Sequence, residues 1–135
     1  MTSIVTDTHA LIWYVNDTND LSADALDAFE VAEQSGSLIY VPAIVIVELR
    51  YLVEKARDIT ESDYQTIVGL LKNPQSAVTF APLDLEVAEA LAQIPRATVP
   101  EMPDRIIAAT ALALSLPLVT RDHEICALSN LTTIW

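Results

Sequence analysis

Glycine is very scarce in this chain, with only Gly36 and Gly69 in 135 positions. Two isolated glycines cannot build a phosphate-cradling loop, so Walker-type and dinucleotide-type sites are excluded. Cysteine occurs once, as Cys126. An internal disulfide is therefore impossible, and no Cys/His spacing suits a structural zinc. No G-x-S-x-G nucleophile elbow is present. Positive charge is also short: seven Lys and Arg stand against nineteen Asp and Glu, a formal net charge of −12. Phosphate backbones normally require a basic footprint. The balance thus favours a basic protein partner or clustered cations over a polyanion. No apolar run approaches the roughly 18–20 residues of a membrane span. Met1-Thr2-Ser3-Ile4 offers no basic segment ahead of its apolar residues, so no signal peptide is expected. With a single cysteine, these features predict a soluble, cytoplasmic protein.

Apolar residues make up 52% of the chain. That is enough for a full core, and the length suits one domain over residues 1–135. Short β-like runs alternate with helical stretches. Strands are expected at Ile4–Thr6, Leu38–Val41, Val78–Ala81, Leu116–Thr120 and Leu131–Ile134. Helices are expected at Thr8–Val15, at Leu21–Glu33 behind a Ser22 N-cap, and from Pro42 to about Arg57. In the second of these, Leu26, Phe29 and Ala32 recur at core-facing spacing. Thr60-Glu61-Ser62-Asp63 resembles a capping box opening a helix through Leu71. Further helices run from Asp84 to about Gln93, from Pro103 to about Ser115, and briefly from Asp122. The alternation predicts an α/β fold, a mainly parallel sheet of four to five strands with helices on both faces. In such sheets the functional crevice lies beyond the carboxyl ends of the strands.

Four acids stand where that crevice would open. Asp7 follows the first strand and Asp122 the fourth. Asp104 opens an apolar helix. Glu48 is the only charge in Val41-Pro42-Ala43-Ile44-Val45-Ile46-Val47-Glu48-Leu49. Acids in apolar surroundings cost stability unless something compensates them, and a divalent cation would compensate all four. Each also has a plainer reading. Asp7 and Asp122 are placed to be N-caps, and Asp104 lies where an acid favours the helix dipole. Glu48 has no cap role but could pair with Arg105 or Arg121. His9 and His123 flank site acids and read more readily as structural than as general acids. Cys126 reads as a small buried core residue. Trp13 and Tyr14 suit packing better than base stacking.

Four segments, in order, carry a resemblance: Ile4-Val5-Thr6-Asp7-Thr8-His9-Ala10-Leu11-Ile12-Trp13, Val47-Glu48-Leu49, Pro103-Asp104-Arg105-Ile106-Ile107-Ala108-Ala109-Thr110-Ala111, and Pro117-Leu118-Val119-Thr120-Arg121-Asp122. Together they resemble the PIN-domain family of metal-dependent nucleases, and within it the VapC-type toxins of toxin–antitoxin pairs. The resemblance implies a parallel sheet between helices and endonucleolytic cleavage of RNA with Mg²⁺ or Mn²⁺. It also implies a cognate antitoxin that blocks the site, and homodimerisation. The acidic quartet carries over as Asp7, Glu48, Asp104 and Asp122, and the hydroxyl two residues before the last acid as Thr120.

Oxygen-only donors suit Mg²⁺ or Mn²⁺ rather than zinc. Asp7, Asp104 and Asp122 are expected to hold one or two ions, with Glu48 binding a second ion or orienting the attacking water. Thr120 would steady a ligating carboxylate. Arg105 and Arg121 are candidates for RNA-phosphate contacts. The helix Leu21–Glu33 and the segment Tyr40–Leu52 offer apolar surface for an antitoxin helix. The competing reading is a catalytically idle acidic module that binds a basic partner. A phosphoacceptor receiver is excluded, because the third strand exits into Ala81-Pro82-Leu83 without an acid.

Overall fold

The computed structural model describes residues 3–135, so Met1-Thr2, which bear on the signal-peptide expectation, lie outside it. The elements run β1 (Ile4–Thr6), α1 (Thr8–Val15), α2 (Ala23–Gln34), β2 (Ile39–Pro42), α3 (Ala43–Glu54), α4 (Glu61–Lys72), β3 (Val78–Ala81), α5 (Leu85–Ala90), α6 (Met102–Leu114), β4 (Leu118–Val119), α7 (His123–Cys126) and β5 (Thr133–Ile134). A 3₁₀ turn, Leu91–Gln93, extends α5. The five strands form one parallel sheet in the order β3-β2-β1-β4-β5.

The burial pattern follows from this order. Every residue of β1 and β4 is buried, as central strands covered on both faces must be. Edge strand β3 leaves Phe80 exposed. Helix α6 is buried continuously from Ile106 to Ala111. Its small Ala108, Ala109 and Ala111 let it pack as an inner helix that is apolar almost all round.

N-caps fall where the side chains predict them. Ser22 accepts from Ala25 N–H at 3.0 Å, and Asp84 from Val87 N–H at 3.0 Å. Thr60 and Asp63 form the reciprocal capping box.

Several expectations are corrected. Helix α3 ends at Glu54 rather than near Arg57. Ala56 turns left-handed (φ 53°), and the Ala56 and Arg57 amides reach back to the Val53 and Leu52 carbonyls. This is a Schellman closure without its usual glycine. Strand β4 pairs over two residues rather than five. In α2 the core face is set by Ala25, Phe29 and Ala32, which leaves Leu26 39% exposed. Cys126 is exposed rather than buried, because Ile125 and Leu128 take the inward positions around it.

Candidate active site

Strand β1 lies at the centre of the sheet, with β2 on one side and β4 on the other. The loops leaving the carboxyl ends of β1 and β4 therefore diverge and open a crevice between them. Asp7 is the first residue beyond β1, and Asp122 lies just beyond β4. Glu48 comes from the middle of α3 and Asp104 from the first turn of α6. All four line one cleft of about 420 Å³, together with Thr8, His9, Trp13, Arg121, His123 and Trp135. A larger hollow of about 780 Å³ lies at the amino ends of β2 and β3. Its acids are only Asp17 and Glu33, and Glu33 already accepts from the Tyr14 hydroxyl. Chemistry rather than size singles out the smaller cleft.

Three of the acids are held by named donors. Asp7 accepts from Ala10 N–H through Oδ1 (2.9 Å) and from the Thr120 hydroxyl through Oδ2 (2.6 Å). Thr120 Oγ1 in turn accepts from Asp122 N–H at 3.1 Å, so one buried hydroxyl ties the ends of β1 and β4 together. Asp122 Oδ1 caps α7 through the Glu124 and Ile125 amides at 2.9 and 3.0 Å. Glu48 Oε1 accepts from the Thr8 hydroxyl at 2.6 Å. Asp7 and Asp122 are thus helix caps and cleft residues at once, because capping uses one carboxylate edge and leaves the carboxyl group at the rim. Thr8 escaped the sequence reading. Its only signal is a hydroxyl one residue after Asp7, and its partner lies forty residues away.

Asp104 has no such donor among the described residues, and its carboxyl is pushed up to about 6. Burial is the main cause, followed by the negative charges of Asp122, Glu48, Asp7 and Glu101. Asp7 is also raised, chiefly by burial, despite the lowering effect of its Thr120 and Ala10 hydrogen bonds. The cleft therefore holds negative charge that the protein itself does not neutralise. The donor set is all oxygen, which fits Mg²⁺ or Mn²⁺. Among the described residues no three or more His, Cys, Asp or Glu side chains form a ready-made metal cage. Water would have to complete any shell here, as is usual for Mg²⁺.

The basic candidates separate. Arg121 lines the cleft, its guanidinium 4.5 Å from the centre of the Trp13 ring. Arg105 does not line it. Its Nε and terminal nitrogen donate to the carbonyls of Ile94 (3.1 Å) and Leu91 (2.9 Å), clasping the loop ahead of α6. Neither arginine pairs with Glu48: the ion pairs among the described residues are His9–Asp58 and Arg50–Glu61. His9 is half exposed at 3.2 Å from Asp58, in keeping with a structural histidine.

No curated protein sequence matches this chain. Several solved structures share its fold. A chain of VapBC2 from Rickettsia felis, bound to a DNA fragment from its promoter, superposes with TM-score 0.71 at 17% identity, covering 97% of this chain and 96% of that one. DNA-bound VapBC from Salmonella typhimurium gives 0.68 at 20%, covering 98% and 97%. FitAcB from Neisseria gonorrhoeae gives 0.62 at 24%, covering 96% and 95%. The PIN domain family model matches residues 4–131, nearly the whole length, and the chain belongs to the PIN domain family.

Proposed function

We propose that this protein is a Mg²⁺- or Mn²⁺-dependent endoribonuclease, the cytoplasmic toxin of a toxin–antitoxin pair. The observation that carries the reading is the convergence of Asp7, Glu48, Asp104 and Asp122 on one cleft, none of them in an ion pair among the described residues. Family membership supports a nuclease. Among proteins of the same fold, VapBC-5 from Mycobacterium tuberculosis, a member of the VapBC family of toxin–antitoxin systems, supports an antitoxin partner. No helix among the described residues is long and apolar enough to cross a membrane.

Asp7, Asp104 and Asp122 would hold the cation, with Glu48 binding a second ion or orienting water. When bound, such a cation neutralises the scissile phosphate and makes water a competent nucleophile near neutral pH. The chain's own residues prepare the site. Thr120 and the Ala10 amide set the Asp7 carboxylate, Thr8 sets Glu48, and the α7 amides set Asp122. Such support fixes the ligand directions before an ion arrives. A homodimer is part of the same proposal.

The net charge of −12 favours a second reading, an idle acidic module that binds a basic partner. Metal dependence separates the two. Mn²⁺ is expected to raise the unfolding midpoint of the wild type, and Asp104→Asn to respond less. RNA cleavage should require the metal and leave 5′-phosphate and 3′-hydroxyl ends. Cleavage in EDTA, or 2′,3′-cyclic phosphate products, would overturn the nuclease. No response to Mn²⁺ and no cleavage would favour the binding module.

A further inference from the structure

One wall of the acidic cleft is aromatic and unused by the chemistry proposed above. Trp13, on α1, and Trp135, just beyond β5, meet edge to face, with ring centres 5.9 Å apart and planes at 61°. The exposed Arg121 guanidinium lies over Trp13. All three line the cleft that holds the four acids. Arg121 is the only lysine or arginine there, because Arg105 is committed to backbone carbonyls.

Packing alone explains partly buried tryptophans, but it does not explain an exposed arginine held over the ring of one of them rather than against an acid. An arginine serving only as a charge would gain more by reaching the carboxylates beside it, and no ion pair joins Arg121 to any acid among the described residues. Guanidinium and indole planes are the surfaces on which unpaired bases stack. In a duplex those base faces are already covered.

Resting on the ribonuclease reading, we propose that Arg121, Trp13 and Trp135 form a stacking platform for an unpaired base next to the scissile phosphate. The arrangement also answers the charge problem. A protein of net charge −12 cannot hold RNA by a broad basic surface, so affinity must come from base stacking and from one well-placed cation, with the metal site beside it.

Trp13 and Trp135 are the only tryptophans in the chain, so tryptophan emission, excited at the red edge where tyrosine does not absorb, reports on this wall alone. The Asp104→Asn protein in millimolar Mg²⁺ would be titrated with a short unstructured RNA oligonucleotide, and with the same strand annealed to its complement. The single strand should quench emission, and the duplex should bind roughly tenfold more weakly. Anisotropy of the labelled strand then compares variants. Trp135→Ala should weaken binding roughly tenfold while Trp135→Phe restores it. Arg121→Lys, which keeps the charge and loses the plane, should weaken it as well. Equal binding of single strand and duplex, no quenching, or full affinity in Arg121→Lys would overturn the platform.

Cleavage by the wild type, followed alongside, separates the two proposals. Metal-dependent cleavage without quenching removes the platform and leaves the nuclease. Quenching without cleavage removes the nuclease and leaves a base-binding cleft.

Discussion

Among the described residues Asp104 is the one acid of the quartet without a protein donor, and burial beside the other acids sets its pH behaviour. Its folded carboxyl titrates near 6, against an ordinary value of 3.8. The native state therefore holds this proton more tightly than the unfolded chain does. Its contribution falls as pH rises from about 4 to 6, and the full penalty is present above that window. Screening by water at this half-buried position limits the penalty to about 1 kcal/mol. Asp104→Asn should then be about 1 kcal/mol more stable than wild type at pH 7.5 without divalent cations, and the difference should vanish below pH 4. Denaturant unfolding at several pH values measures it, and a less stable variant at pH 7.5 would make Asp104 an ordinary dipole partner of α6. The four acids were legible in the sequence because each breaks a local pattern, at a strand exit or within an apolar run. Thr8 and the Arg105 clasp were not, because their meaning lies in partners eleven to forty residues away.

Helix starts were legible and helix ends less so. Ser22, Thr60 and Asp84 advertise their caps by side-chain chemistry. Closures normally advertise themselves by glycine, and this chain mostly omits it. Asp17, Ala56 and Ser115 adopt left-handed φ of 53°, 53° and 55° just past α1, α3 and α6, whereas Gly36 serves only α2. A non-glycine residue in this region bears roughly 1–2 kcal/mol of strain, partly offset by the smaller entropy it loses on folding. Ala56 is exposed and has no side-chain role, so Ala56→Gly should stabilise the protein by about 0.5–1 kcal/mol. A fall in the unfolding midpoint would show that this closure is unstrained. The same scarcity explains why α3 seemed to run on to Arg57.

At the scale of the whole molecule, the alternation of strands and helices made the parallel sheet legible, but not the strand order. That order depends on which neighbour each crossover selects, and it alone places the carboxyl ends of β1 and β4 side by side. Asp7 and Asp122 lie 115 positions apart in sequence, and a single hydroxyl, that of Thr120, touches both residues. Because these acids are also caps, the state of the cleft is wired into backbone amides. Ala10 N–H reads Asp7, and Glu124 and Ile125 N–H read Asp122. Asp84 makes the same kind of cap to Val87 N–H outside the cleft. A cation that immobilises the cleft carboxylates should slow deuterium uptake at Ala10, Glu124 and Ile125 while leaving Val87 unchanged. The protein thus carries three built-in reporters of its own occupancy, together with a matched control on α5.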